Sequence, residues 1–540
     1  MSTTRPKMVS AAALVGLSLI AAACGGDDGG SGDTTAQTVD QGVKSGIDSA
    51  LQSTTSAADG STASTEPARE APTSMEGWEA LWEEERAAML EKISSNGWGV
   101  SADGTTATGP EGFTIDLSAC PAGWSNTEGL TDTEIKIGQT IPLSGAAAAY
   151  GEISTGMEAH FAKVNDAGGI SDANGVTRKL KYLVKDDGYD PARTIPLVDE
   201  LIDAERVFAV LTLGSPSTMK TYDKLNQRCI PQPLSMTGHP AWGDPVNHPW
   251  TTGEQMAYNT EAVLWGAFIE QNQEELLAKD GTITVAALVA NNDFGKAYDA
   301  GFKAWIAQSP LKDKIEYFVE LNEPTAPTIT DPMTTLASKD PEVFIAMTFA
   351  AYCTQSMVEA ANNGLKSRPS TCSSRRCARA TATLARKFGG DGMAADGWYM
   401  VGGGLKALDS PTFDGDPFAV YAREALADVG IDFKAQPTSL RGVSFAWTLD
   451  QALRVASQME GGLNRANLII ALRSFEMTPP HLLEGAKYNM NGNADAYLTE
   501  ASEFSVYNTA KQGYDVVGDV IDLSGKSRNC AFDQATASCL

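Results

Sequence analysis

From Thr131 onward the chain alternates between two apolar periods. Ile135–Thr140, Lys179–Lys185 and Val207–Leu213 are short runs whose spacing predicts strands. Between and after them, Ser154–Asn165, Leu197–Ala204 and Ser217–Gln227 carry apolar residues at helical spacing. Pro196 predicts that the helix before Val207 begins late or is kinked, because proline removes a backbone donor. A stretch rich in Gly, His, Pro and Trp, Gly238–Trp250, then breaks the rhythm. It resumes with helix Tyr258–Gln271, strand Thr282–Val289, helix Lys296–Gln308, strands Ile315–Leu321 and Val343–Phe349, and helix Gln355–Asn363. Strands alternating with helices of this length build parallel sheets covered on both faces. Two runs separated by a break predict an α/β protein of two doubly wound lobes.

The first 130 residues read differently. Arg5 and Lys7 precede an apolar stretch, Met8–Ala23, which ends in Ala21-Ala22-Ala23-Cys24. A positive start, a short apolar middle and small residues before a cut site describe a secretory signal, residues 1–23, too short to span a membrane as a helix. The residues before Cys24 resemble a bacterial lipobox, which implies diacylglycerol on that thiol, anchorage to the cell membrane and exposure on its extracytoplasmic face. Residues 24–74 are mostly Gly, Ser, Thr, Ala and Asp and read as a flexible tether of roughly 40 Å reach. Thr73–Glu76 has the spacing of a capping box. Trp78, Leu81, Trp82, Met89, Leu90 and Ile93 then share one helical stripe, and Asn96-Gly97 ends it. The stripe is expected to face a core. Trp98–Ser101 and Phe113–Leu117 suggest a hairpin, so residues 75–130 are expected to form a small accessory element on the main body.

The chain of 540 residues has 41 Lys and Arg against 68 Asp and Glu, a formal net charge of −27. A general basic surface for nucleic acid is thereby excluded. No phosphate-loop or zinc-helix motif occurs, the four histidines are read as surface or packing residues, and no cofactor or metal is expected. Gly442-Val443-Ser444-Phe445-Ala446 approaches a nucleophile elbow but lacks the final glycine and runs into a helical pattern, so a hydrolase is disfavoured and Ser444 is given no role. Gly402-Gly403-Gly404 reads as a hinge or turn.

Doubly wound sheets bind ligands beyond the carboxyl ends of their strands. The loops there are Ile141–Gly151, Gly214–Thr218, Leu234–Gly238 and Asn291–Gly295, all rich in Gly and small hydroxyl residues with single aromatics. Such chemistry suits a small polar solute with an anionic end.

Thr133–Gly145, Tyr150-Gly151, Asn165–Ile170 and Asp186–Pro191 together resemble the branched-chain amino acid type of ABC-transporter substrate-binding protein, the class I periplasmic-binding-protein family. The resemblance spans about 131–522. It implies a two-lobed clamp with a three-segment hinge, lobe one being 131–255 with 410–483, lobe two 256–409 with 484–524, and 525–540 a tail. It implies a monomeric, non-enzymatic protein that captures a small solute and delivers it to an ABC permease. In this reading Tyr150 covers the ligand, Ser215 contacts its carboxylate, Ser235 and Thr237 complete that pocket, and Phe294 and Phe349 close from lobe two. The acid that holds the ammonium of amino-acid ligands falls near Ser373, with no Asp or Glu beside it. The solute class is therefore left as amino acid, amide, urea-like compound or short carboxylate. A tethered sensor signalling to a membrane partner uses the same clamp.

Seven cysteines besides Cys24 leave at least one unpaired. Cys353 and Cys372 are expected to pair, and Cys120 is expected to reach Cys530 or Cys539, with Cys530–Cys539 as the alternative. Arg368–Lys387 is basic within an acidic chain, read either as a solvated loop or as a locally altered sequence; under both readings it is expected to be mobile.

Overall fold

Val285–Val289 is buried along its whole length, as a strand covered on both faces must be. It lies in a seven-stranded sheet of order Ile315–Asn322, Ile283–Ala290, Val343–Met347, Ser370–Cys372, Tyr399–Val401, Ala501–Asn508 and Gly513–Asp522. The first five strands run parallel. The last two join antiparallel as a hairpin, an addition the strand–helix rhythm did not disclose. This computed structural model describes residues 39–55, 71–365, 370–372, 393–533 and 538–539. The signal segment, Cys24 and nearly all of Arg368–Lys387 lie outside the described residues.

The second sheet is smaller, ordered Ile170–Ser171, Thr177–Asp186, Glu134–Ile141 and Ala209–Thr212. Backbone bonding from Val210 N to Pro231 O and a bridge from Leu213 to Met236 extend it to Gln232–Ser235, which pairs with Thr251–Gly253. Its chain leaves for the seven-stranded sheet after Gly253 and returns after Val401 through helices Pro417–Asp428, Ser439–Gln458 and Arg465–Arg473. Those helices share one core with the smaller sheet, while the larger sheet has its own. We refer to the two as lobe one and lobe two.

Helices Glu152–Asp166 and Ser439–Gln458 approach at paired glycines. A Cβ on Gly156 would collide with the Ser439 carbonyl, and one on Gly442 with the Ile153 carbonyl. The elbow-like motif is therefore helix interior, with Gly442 serving close packing; Ser444 Oγ donates back to Leu440 O. Pro196 does not delay its helix, which starts at Pro191 behind an Asp190 cap; it sits inside, and the end widens into a single looser turn over Glu200–Ala204.

The helix expected after the tether spans Met75–Ser95, capped by Ser74 rather than Thr73. Five of its six stripe residues are buried, and Trp82 packs on Trp447 of lobe one with ring centroids 5.0 Å apart. Behind it the expected hairpin is a three-stranded antiparallel sheet of Gly99–Val100, Thr106–Thr108 and Thr114–Asp116. The expected tether also contains order: Gln41–Thr55 is a helix whose Val43 and Ile47, with Val39 before it, are buried in the core of lobe two. Their spacing by four residues makes an apolar stripe too narrow to stand out against Gly, Ser and Thr.

Cys120 pairs with Cys229, not with the tail, and Cys530 pairs with Cys539. The accessory element lies against the end of helix Tyr222–Gln227, where Trp124 Nε1 also donates to Cys229 O at 2.8 Å, so the nearest thiol belongs to lobe one. Cys353 is disulfide-bonded as well. Cys372 ends a strand beside Ala346, and its side chain lies outside the description.

Candidate functional site between the lobes

The motif Asp186-Asp187-Gly188-Tyr189-Asp190-Pro191 is built like a bracket. Asp186 accepts from Leu143 N at 2.8 Å and Ser144 Oγ at 2.6 Å, tying down the loop that leads to Tyr150. Asp187 is buried and accepts from Tyr189 N, Thr194 Oγ1 and Ser217 Oγ. Asp190 caps the helix that Pro191 opens. Tyr189 is thereby held at φ +63°, a left-handed conformation that a non-glycine residue adopts only when its surroundings impose it. Its ring lies over Gly214, where any side chain would strike it.

That ring crosses to lobe two and stacks on Phe349. Tyr150 crosses as well, its hydroxyl accepting from Ala350 N at 3.2 Å. Tyr258 and Phe294 meet edge to face 4.8 Å apart beside them. Together these groups close a cavity of about 310 Å³ whose walls come from both lobes. Three expected residues, Tyr150, Phe294 and Phe349, line it. Ser215, Ser235 and Thr237 are fully buried behind the wall that Gly214 and Met236 present. Ser215 Oγ and Thr237 Oγ1 bond one another at 2.7 Å, while Ser235 Oγ has no partner.

Sequence reasoning missed the other end of the cavity. Glu254, Arg441, Ser444, His481 and Tyr488 line it, although Ser444 and His481 had been assigned no part in a site. Glu254 Oε1 accepts from Thr448 Oγ1 and Tyr488 OH at 3.1 and 3.0 Å. Burial pushes its pKa up to about 7, against the pull of Arg441 and these two hydrogen bonds. Burial, with Arg441 and Lys406, drives His481 well below its ordinary value, leaving a neutral imidazole that shares a hydrogen bond with Tyr488. Glu261, also on the wall, is pushed up to about 8 by burial. Apart from Ser444 none of these residues sits in a recognisable motif; they come from three distant stretches, 254–261, 441–444 and 481–488, and only the fold assembles them. Gly402-Gly403-Gly404 forms a turn on the cavity wall, Gly403 and Gly404 at positive φ, anchored by Gly404 N on Glu503 Oε2. Among the described residues no cluster of His, Cys, Asp and Glu could hold a metal.

A two-lobed α/β fold with a cavity between its lobes is matched by sequence: the family profile for periplasmic binding proteins covers residues 134–501. The chain belongs to the periplasmic binding protein family. Its fold is a substrate-binding, non-catalytic one. No curated protein matches the chain. Solved structures with the same fold include a branched-chain amino acid ABC transporter protein from Thermus thermophilus with bound valine. Identity is 15%, TM-score 0.60, and the match covers 72% of this chain and 97% of that one. A fatty acid ABC transporter substrate-binding protein from Thermomonospora curvata shares 18% identity at TM-score 0.58, covering 76% and 98%. A solute-binding protein from R. palustris in complex with benzoate shares 17% at 0.54, covering 72% and 96%. Periplasmic binding proteins work outside the cytoplasm, and no helix among the described residues is long and apolar enough to cross a membrane.

Proposed function

We propose that this protein captures a small carboxylate-bearing solute between its lobes and hands it to an ABC permease, as a monomer tethered to the cell membrane by lipid on Cys24. One observation carries the reading: the cavity is walled from both lobes, and Tyr150 and Tyr189 reach across to Ala350 and Phe349. A ligand drives closure only through contacts it makes in the closed state, and this cavity offers walls from both lobes. Tyr150, Phe294 and Phe349 are the covering rings in this reading. Ser215, Ser235 and Thr237 stiffen the lobe-one wall behind Gly214 and Met236 rather than touching solute in the closed form. Valine, benzoate and fatty acids, named for the similar structures, all carry a carboxylate on an apolar body, which supports the same for this chain.

Thermal shift with a broad panel of amino acids, amides, urea derivatives and carboxylates tests it. At ~100 times its dissociation constant a ligand stabilises the fold by about 2.7 kcal/mol, a rise of several degrees. The rise should vanish in Tyr150→Ala. A ligand bound at full affinity by Tyr150→Ala would place the pocket elsewhere.

A further inference from the structure

The inner end of the cavity is unfinished. Glu254 Oε2, Arg441 Nη1 and His481 Nδ1 are buried without hydrogen-bond partners, and all three residues line the same space. Glu254 and Arg441 act on one another electrostatically yet make no direct hydrogen bond. Buried polar atoms are rarely left orphaned, so whatever occupies the cavity completes them. Arg441 stands in the first turn of helix Ser439–Gln458 with its guanidinium over the Phe445 ring at 4.5 Å, fixed in place and offering donors. Such a planar fork suits a carboxylate. Glu254 Oε1 already accepts twice, so an uncharged Glu254 carries its proton on Oε2 and needs an acceptor there. Lys406, the other cation on this wall, is already held by Asp416 and Pro480 O at 2.7 Å. With Lys406 paired to Asp416 and burial opposing the charge of Glu254, Arg441 is the cation on this wall that makes no ion pair among the described residues. A net anion with a neutral acceptor fits it better than a zwitterion. Elsewhere the wall carries the aromatic rings of Tyr189, Tyr258, Phe294 and Phe349, with Glu261 and Asp409 the other acids on it.

Resting on the clamp reading, we infer that the solute is an apolar hydroxycarboxylate whose carboxylate is taken by Arg441 and whose hydroxyl accepts from Glu254. This makes Arg441 and Glu254 the specificity-determining pair, separate from the hydroxyl group of Ser215, Ser235 and Thr237.

The test is calorimetry of the full mature chain with four compounds of one skeleton: 3-phenyllactate, 3-phenylpropanoate, phenylalanine and 3-phenylpropanamide. The same series on a 4-methylpentanoate skeleton covers a branched body. The hydroxy acid should bind best in each series, the plain acid roughly 10-fold more weakly, and the amide not measurably. Arg441→Gln should weaken the hydroxy acid roughly 10- to 100-fold, with Arg441→Lys between. Glu254→Gln, whose amide still donates, should keep the preference for the hydroxy acid, and Glu254→Met should erase it while both acids still bind. Far-ultraviolet circular dichroism and the ligand-free melting temperature check each variant for folding. Phenylalanine binding more tightly than phenyllactate, amide binding as tightly as acid, or Arg441→Gln binding unchanged would each overturn the inference. If Tyr189→Ala loses binding while Arg441→Gln keeps it, the clamp stands and this pole assignment fails. If no compound in either series binds, the hydroxycarboxylate class fails, and the broad thermal-shift panel decides the clamp by itself.

Discussion

Tyr189 of lobe one and Phe349 of lobe two stack with ring centroids 5.0 Å apart and planes inclined by 29°. No covalent or ionic link accompanies them at that point; two aromatic faces bridge the cleft. A pair of this kind is worth about 0.5–1.5 kcal/mol beyond its buried area. It can hold a closed form only together with a ligand or further cross-lobe contacts. Tyr189→Ala and Phe349→Ala should each weaken solute binding by roughly 2- to 10-fold. Small-angle scattering at saturating solute should also show a larger radius of gyration than wild type. An unchanged radius with unchanged affinity would show that the stack takes no part in closure.

Glu254 supplies a pH signature. Burial raises its folded pKa from 4.5 to about 7, so the folded protein holds this proton more tightly than the unfolded chain does. The favourable contribution is full below about 4.5 and is lost as the pH rises through about 7. Denaturant titrations at pH ~5 and ~8 should show wild type losing more stability than Glu254→Gln across that interval, by on the order of 3 kcal/mol. Parallel losses in the two proteins would mean that Glu254 titrates normally.

Gly156→Ala attacks the helix contact that positions Arg441. The added methyl meets backbone, the Ser439 carbonyl, which cannot rotate away. Helices Glu152–Asp166 and Ser439–Gln458 must separate, at a cost of about 1–3 kcal/mol or more. Equilibrium unfolding should report that loss. Solute affinity should fall with it, because Arg441 rides on the displaced helix turn.

The Cys120–Cys229 bridge joins residues 109 apart in sequence. Removing a closure of that length costs about 4–5 kcal/mol in the chain-entropy account. The double substitution Cys120→Ala with Cys229→Ala should lower the melting temperature well beyond any effect of removing Cys530–Cys539, whose separation is 9. Non-reducing peptide mapping should recover Cys120 with Cys229 and Cys530 with Cys539. A Cys120–Cys539 peptide would contradict the pairing.

The two lobes and the strand-and-helix alternation were legible in sequence, because periodicity is a local property of the chain, and Tyr150, Phe294 and Phe349, named through the family resemblance, line the cavity. The Trp78–Ile93 stripe was legible for the same reason. Local pattern also carried Asp186–Pro191, where each residue bonds within a few positions of itself or to an adjacent loop. What tertiary structure alone decided was which distant groups meet. Glu254, Arg441, His481 and Tyr488 come from three distant stretches of chain, and burial in one cavity gives Glu254 and His481 a character their residue types do not predict. The same holds for Cys120, whose partner depends on where the accessory element docks, and for Gln41–Thr55, which is ordered by the core of lobe two rather than by its own composition. Helical stripes and strand runs are written in nearest neighbours along the chain, whereas a binding pole is written in neighbours through space, and only packing supplies those.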